Sequence, residues 1–191
     1  DAAAVGIVDK IISFLFLVPS SMLSTVSALG AQNIGANKPE RAIATLRYAV
    51  LIAVVFGILA TITIQFTAGS IVALFTDGNT SDGADVIRLG SQYLRGYIFD
   101  CIFAGIHFSF SGYFCACGKS GLSFLHSILA IVLVRIPGVY LTSRLFKTTL
   151  FPMGLATAAG SLLSVFICVI AFYVIYHKEP IRKDHHFFGY H

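Results

Sequence analysis

The sequence carries little charge for its length. Only 12% of its 191 residues are Asp, Glu, Lys or Arg, while 57% are hydrophobic. An ordinary soluble domain has about 25% charged and about 45–50% apolar residues. A chain this poor in charge lacks the polar residues to cover a water-facing surface, so we expect much of its surface to face lipid.

The sequence also lacks the patterns typical of nucleic-acid-binding, disulfide-bonded and zinc-binding proteins. The basic residues lie between apolar runs rather than on one face, which excludes a nucleic-acid surface and is typical of membrane topology signals. The four cysteines have the spacing of neither a disulfide framework nor a zinc site, so no metal site is expected. The chain does not begin with methionine and enters an apolar segment almost at once, so we expect its true N-terminus to lie upstream.

Five apolar stretches are long enough to cross a bilayer, which takes about 20 mostly apolar residues. They run over about 5–31, 42–75, 85–117, 120–145 and 153–177. We therefore predict an all-α membrane protein, with a transmembrane helical lobe over residues 1–177 and a cytoplasmic tail over 178–191. Pro19 should kink the first helix because it removes a backbone donor. The second helix could break near Gly69 and continue as a short piece.

The distribution of basic residues predicts the orientation in the membrane. Lysine and arginine favour cytoplasmic connections, and they are more numerous in the connection 33–41, the turn at Lys119 and the tail than in the other connections. This places Asp1 outside and the C-terminus in the cytoplasm. Pro39 and Glu40 predict a helix start in the first connection, since proline and acidic side chains suit the first turn.

Polar side chains inside the third apolar stretch are the first candidates for a site. An ionisable residue at membrane depth costs free energy and usually faces a cavity or a partner. Asp100 and His107 lie two helical turns apart, and Ser111 follows one turn later, so the three share a face. Such a stripe could bind a cation or a proton. Alternatively, Asp100 pairs with Arg95 or Arg135 and His107 is a packing residue.

Four further residues are candidates for a substrate path or gate. Gln32 and Asn33 end the first helix beside small residues that equally suit helix packing. Asp9 lies near the outer end of the same helix, where a local ion pair is the alternative. Arg135 lies inside the fourth helix, where a counter-ion or snorkelling role is the alternative.

Enzyme motifs are incomplete, and we expect no enzyme. The element 109–112 with His126 approaches the Gly-x-Ser-Gly and histidine of intramembrane serine proteases. However, Ser109 replaces the first glycine, and His126 lies close to the turn. The Gly-Lys-Ser at 118–120 lacks the upstream glycine of a phosphate loop.

Several pieces resemble the multidrug and toxic compound extrusion (MATE) transporters. The stretch 31–42, AQNIGANKPERA, is similar to the helix-end element of that family, Gln-Asn-x-Gly-Ala followed by a linker and Arg-Ala. Four more pieces follow in family order, at 71–77, 112–119, 135–141 and 152–155. The resemblance covers the chain up to about Tyr176.

The resemblance implies a fold and a function. Family members have twelve helices in two lobes, and this chain matches helices eight to twelve of the second lobe, without the first lobe. They export organic cations in exchange for sodium ions or protons by alternating access. Some members hold a cation on a tenth-helix carboxylate. Counted back from the Gly118 turn, that position falls nearer Ile106 or His107 than Asp100.

The leading interpretation is part of a secondary active multidrug efflux transporter in the plasma (inner) membrane. Its expected partners are the bilayer, a small organic cation and the missing N-terminal lobe, and it needs no cofactor beyond the coupling ion, Na+ or H+. The alternatives are a lipid-linked oligosaccharide flippase, disfavoured because Arg135 is the one mid-helix basic residue, and a non-transporting membrane subunit or fragment.

Overall fold

The structure, a computed structural model, describes residues 2–76, 81–146 and 148–178, which form helices and connections without a strand. The helices are α1 (Ala2–Leu15), α2 (Leu17–Gly35), α3 (Pro39–Ala73), α4 (Ser81–Tyr97), α5 (Phe99–Ala116), α6 (Ser120–Ala130), a π-helical segment (Ile131–Arg135), α7 (Ile136–Leu145) and α8 (Phe151–Lys178). Taken as continuous spans, they give five helices long and apolar enough to cross a membrane. The all-α membrane fold expected from the sequence is thereby confirmed.

The first span is interrupted beside its proline. α1 ends at Leu15 and α2 begins at Leu17, so the helix is interrupted at Phe16, three residues before Pro19. Proline donates no backbone hydrogen bond and its ring crowds the carbonyl four residues earlier. The Ser20 N–H still bonds to the Phe16 carbonyl at 2.9 Å, so helical hydrogen bonding continues past the interruption. Pro19 was expected to kink this span, and the helix is interrupted three residues before it.

The fourth span contains a π-helical turn that the sequence analysis did not predict. The Ile136 N–H donates to the Ile131 carbonyl five residues back, which is the π-helical pattern. Pro137 explains its position, because the carbonyl four residues before a proline receives no α-helical hydrogen bond and is crowded by the ring. The extra residue in this turn rotates α7 about its axis relative to α6.

The second span is one uninterrupted helix, whereas the third span is divided into two helices. α3 runs without interruption from Pro39 to Ala73, so the possible break near Gly69 does not occur. Its start at Pro39, with Glu40 in the first turn, agrees with the predicted helix start. The third span instead divides at Ile98, between α4 and α5. No proline lies there, and the interruption places Asp100 in the first turn of α5.

The third span forms the centre of the bundle. Its most apolar window is 61% buried, against 28% or less for every other span, so most of the remaining helical surface is left to face lipid. Small residues allow close contact: a Cβ added at Gly105 would lie 2.6 Å from Ala53 Cβ, and one at Gly112 would lie 2.5 Å from the Leu23 carbonyl. α5 therefore packs directly against α3 and α2.

The expected cytoplasmic tail from residue 178 onward lies outside the described residues, apart from Lys178 at the end of α8. Residues 77–80, between the second and third spans, and Lys147, between the fourth and fifth spans, also lie outside them.

Candidate functional site

A cavity of about 300 Å³ lies between the third, fourth and fifth spans, at the level of their middle residues. The interrupted first span reaches it through Phe16. The lining residues are Phe16, Tyr97, Asp100, Ala104, His107, Phe108, Ser127, Ala130, Ile131, Arg135, Gly160, Ser161 and Ser164. A carboxylate, a guanidinium and an imidazole therefore share one cavity with aromatic and small side chains.

One carboxylate oxygen of Asp100 is buried and open. The residue is 2% exposed. Ser161 lies beside the carboxylate on the cavity wall, and Oδ1 has no hydrogen-bond partner among the described residues. The first turn of α5 supports a negative charge here, because helix N-termini carry partial positive charge. The open oxygen is buried and can accept a bond from a ligand in the cavity.

Arg135 ends the π-helical segment and lines the same cavity. Its Nη2 donates to the Tyr97 hydroxyl at 2.7 Å. Within the described ranges the one ion pair joins Arg88 to Asp85 at 3.2 Å, on the surface. Asp100 therefore forms no contact ion pair with Arg95 or Arg135, although it lies within electrostatic reach of Arg135.

His107 lies on the cavity wall two helical turns from Asp100, on the shared face that the helical spacing predicts. Its ring contacts Phe108, with centroids 4.5 Å apart, and meets His126 edge to face at 5.6 Å. Nδ1 is buried and has no hydrogen-bond partner within the described part of the chain. His107 is thus a second group with unused hydrogen-bonding capacity.

Ser111 does not reach the cavity, which corrects its place in the expected Asp100–His107–Ser111 stripe. Its hydroxyl lies 2.7 Å from His126 Nε2, and His126 Nδ1 lies 3.0 Å from the Ser164 hydroxyl. We call Ser111, His126 and Ser164 the serine–histidine network. It joins α5, α6 and α8, and its members are 1–3% exposed.

The serine–histidine network also bears on the protease comparison. The serine protease motif is incomplete in the sequence, yet the side chains of Ser111 and His126 are in hydrogen-bonding contact. The group on the far side of the imidazole is a serine hydroxyl rather than a carboxylate. A carboxylate in that place would orient and stabilise a catalytic imidazolium. Together with their burial, this arrangement fits a structural crosslink between helices.

The remaining candidates do not line the cavity, although Asp9 lies within electrostatic reach of Arg135 and Tyr97. Gln32 is exposed, and the Asn33 amide donates to the Leu29 carbonyl of its own helix at 2.7 Å. Asp9 is exposed on α1. None of the three lines the cavity, so their role in a path or gate stays a prediction.

α8 contributes polar side chains to the cavity wall that were not predicted from the sequence. Thr157, Ser161 and Ser164 are buried on that helix, at spacings of four and three residues. This spacing puts them on one face, and the signal was available as a polar stripe in an otherwise apolar span. Tyr97 and Phe16 were missed because aromatic residues in membrane helices usually face lipid or other helices.

Comparison with known proteins gives one match. A family model described as MatE matches residues 1–141. No curated protein matches the chain, and no solved structure matches it.

Proposed function

Since the chain belongs to the MatE family of multidrug and toxic compound extrusion transporters, we propose that it forms part of the second lobe of a secondary active exporter of organic cations. Export is driven by entry of Na+ or H+ across the plasma (inner) membrane. The lobe works with an N-terminal lobe of the same transporter, and the two alternate in exposing a central site to either side of the bilayer.

The observation that supports this proposal is the buried open oxygen of Asp100. A carboxylate in the membrane interior costs about 2.5–3.5 kcal/mol even on insertion scales, so such residues usually serve ion or substrate paths. Here the carboxylate lies on the wall of a 300 Å³ cavity, a volume at the small end of about 300–1,000 Å³ for small-molecule sites. Asp100 is therefore the anion that a cation in the cavity would contact.

Entry of the driving ion is coupled to export of the organic cation if both bind the same carboxylate. The ion entering from outside occupies Asp100 and weakens binding of the organic cation, which then leaves. A ligand shifts a conformational equilibrium only through its different affinity for the two states. Ser161 can contribute to this difference, because its hydroxyl is positioned to bond either the carboxylate or a bound ion.

The test is Asp100→Asn in the full-length protein that contains this chain, with ethidium efflux from inverted vesicles under a Na+ or H+ gradient as the readout. We expect gradient-driven efflux to fall at least about tenfold, because the amide keeps hydrogen bonding but loses the charge, which is worth more than about 1.4 kcal/mol in a buried site. The matched control is Asp85→Asn, which removes an exposed carboxylate from a surface pair with Arg88.

The outcomes separate the rival functions. Unchanged efflux in Asp100→Asn, at equal expression, would exclude Asp100 as the cation site. Absence of efflux in the wild-type protein under both gradients would point to a non-transporting subunit. Movement of a lipid-linked sugar instead of ethidium would favour the flippase, although Arg135 is the one lysine or arginine among the cavity-lining residues.

A further inference from the structure

The two halves of the fourth span are held to the bundle unequally. On the side that begins at Ser120, α6 is tied to both neighbouring helices through the serine–histidine network. His126 Nε2 lies 2.7 Å from the Ser111 hydroxyl of α5, and its Nδ1 lies 3.0 Å from the Ser164 hydroxyl of α8. His126 is 1% exposed. α6 therefore forms one packed unit with α5 and α8.

α7, on the other side of the π-helical segment, has weaker attachments. None of its residues is buried in the described part of the chain. The hydroxyls of Thr142 and Ser143 donate to carbonyls of α7 itself, and Arg144 lies over the Tyr140 ring of the same helix. Elements with few buried contacts separate from a fold at lower free energy than its core does. α7 is therefore the half of the fourth span that can move.

α7 meets α8 where Gly138 faces Ala156. A Cβ added at Gly138 would lie 3.2 Å from Ala156 Cβ, so the two helices come close there. Contacts between small residues depend on van der Waals packing, and neither side chain forms a hydrogen bond. The two surfaces can therefore separate and meet again without leaving a buried polar side chain unpaired.

The π-helical segment has the properties of a hinge between the two halves. None of the residues Ile131–Arg135 is buried among the described residues, and Pro137 already removes one backbone donor from the turn that follows. Segments of this kind occur often at functional sites, and hinges are a few residues at the ends of elements that absorb changes in backbone dihedrals. A pivot here breaks fewer hydrogen bonds than a pivot inside a regular α-helix.

A pivot at this segment would open the cavity. Ile131 and Arg135 form part of the cavity wall, and Arg135 Nη2 donates to the Tyr97 hydroxyl at 2.7 Å. α7 leads from this wall to the end of the bundle opposite the turn at Lys119, because the fourth span begins at Ser120 beside that turn. Moving α7 away from α8 would carry Arg135 with it, break its bond to Tyr97 and leave a passage on that side.

We propose that α7 is a gate, which pivots about the π-helical segment and opens the cavity toward the end of the bundle opposite the turn at Lys119, while α6 stays fixed. The structure has the closed position, with Gly138 against Ala156. This inference goes beyond the proposed function and rests on it in one respect, since a gate of this kind serves the passage of an exported compound.

A reversible disulfide between α7 and α8 tests the gate. Gly138→Cys and Ala156→Cys are introduced together into the full-length protein that contains this chain, after its native cysteines have been replaced. The Cβ separation of 3.2 Å is close to the range of about 3.5–4.5 Å in natural disulfides, so the bond needs a small adjustment. We expect oxidation to abolish gradient-driven ethidium efflux and dithiothreitol to restore it. Neither single-cysteine variant should respond to oxidation.

The matched control is a disulfide in the part of the bundle that the proposal keeps fixed. Gly30→Cys with Ala116→Cys joins α2 to α5, where the Cβ separation would be 2.8 Å, and involves no residue of the fourth span. We expect efflux to survive oxidation of this pair, because the gate is left free. The melting temperature in detergent, measured before and after oxidation, identifies a pair whose bond distorts the fold.

Distances between spin labels measure the motion of α7 without relying on transport. Nitroxides on Ser143→Cys and Phe66→Cys report on α7 against α3, and nitroxides on Phe124→Cys and Tyr48→Cys report on α6 against the same helix. All four positions are exposed. We expect double electron–electron resonance in nanodiscs to give a broad or two-peaked distance distribution for the α7 pair and a single narrow peak for the α6 pair.

Three results would overturn the gate. They are undiminished efflux after complete oxidation of the α7–α8 pair, equal loss of efflux in both oxidised pairs, and equally narrow distance distributions for the two pairs of labels. If the reduced proteins export ethidium, such a result removes the gate and leaves the proposed function standing. If the wild-type protein exports no ethidium under either gradient, the proposed function fails, and the spin-label distances alone decide whether α7 moves.

Discussion

At the scale of single residues, the cavity and the serine–histidine network use polar groups in opposite ways. In the network, each imidazole nitrogen of His126 faces a serine hydroxyl. In the cavity, Asp100 Oδ1 and His107 Nδ1 have no partner among the described residues. Buried polar atoms are nearly always hydrogen-bonded in stable structures. The satisfied group therefore serves stability, and the unsatisfied groups are available to a ligand.

Replacing His126 with Phe tests whether the serine–histidine network stabilises the fold while the unpartnered cavity groups do not. The ring keeps a similar volume, but the contacts to Ser111 and Ser164 are lost, and both hydroxyls remain buried. We expect the free energy of unfolding in detergent to fall by about 1–3 kcal/mol, given the modest strength of hydrogen bonds within membranes. Thermal melting measures the loss. The comparison variant is His107→Phe, which should lose less stability because its Nδ1 bonds to nothing within the described residues; equal losses would contradict the division.

At the scale of helices, glycines allow the backbones of neighbouring spans to come into close contact. α4 and α8 approach through Gly96 and Gly154. A Cβ added at Gly154 would lie 2.5 Å from the Tyr93 carbonyl and 2.6 Å from the Tyr97 nitrogen. Since these are backbone atoms, they cannot move aside as a flexible side chain would. The same contact supports Tyr97, which orients Arg135.

Gly154→Ala should therefore separate α4 from α8. We expect a loss of about 1–3 kcal/mol in stability, the usual range for overpacking, measured by thermal melting in detergent. Gly69→Ala is the matched control, because nothing lies within 4 Å of a Cβ added there. It should leave stability unchanged or raise it by up to about 1 kcal/mol, the preference of helices for alanine. Similar melting temperatures for the two variants would refute the close contact.

The π-helical segment makes a separate prediction through Pro137. Pro137→Ala restores the missing backbone donor, so the segment can return to α-helical hydrogen bonding. Arg135 would then shift around the helix axis and leave its place beside Tyr97. We expect melting temperature to be kept or raised while gradient-driven ethidium efflux declines several-fold. Retention of efflux in a stable variant would show that transport does not depend on the π-helical turn.

At the scale of the whole molecule, the sequence predicted the features that depend on residue composition and on the helical repeat. Five spans, the interruption beside Pro19 and the helix start at Pro39 follow from runs of apolar residues and from proline geometry. The shared face of Asp100 and His107 follows from the helical repeat. These features depend on neighbouring residues along one segment, which a single sequence contains.

What the sequence did not reveal depends on how segments meet. The interruption at Ile98 has no proline, and the π-helical turn shows only after the hydrogen bonds are known. Ser111 shares the helical face of His107 but is taken up by His126, a partner from another helix. Ser161 becomes part of the site only because α8 lies beside α5. Such pairings across helices are not encoded in a single periodic pattern.

The structure places the basic turns at one end of the bundle, and the side of the membrane that this end faces stays a prediction. A Cβ added at Gly30 would lie 2.8 Å from Ala116 Cβ, so the ends of α2 and α5 lie together. The basic turns that follow these helices, at Lys38 and Lys119, therefore lie at one end of the bundle. Gly90 of α4 lies near Val72 and Val8, which places the other ends of α1, α3 and α4 together. By the positive-inside rule, we predict that this basic end faces the cytoplasm.

Labelling with a membrane-impermeant maleimide checks this orientation. The four native cysteines are first replaced by alanine, and single cysteines are then introduced by Lys38→Cys at the basic end or Asp82→Cys at the opposite end, both exposed positions. In intact cells we expect Asp82→Cys to react and Lys38→Cys to react only after permeabilisation. Inverted vesicles should give the opposite pattern, which controls for intrinsic reactivity. Labelling of Lys38→Cys in intact cells would place the basic end outside and overturn the predicted orientation.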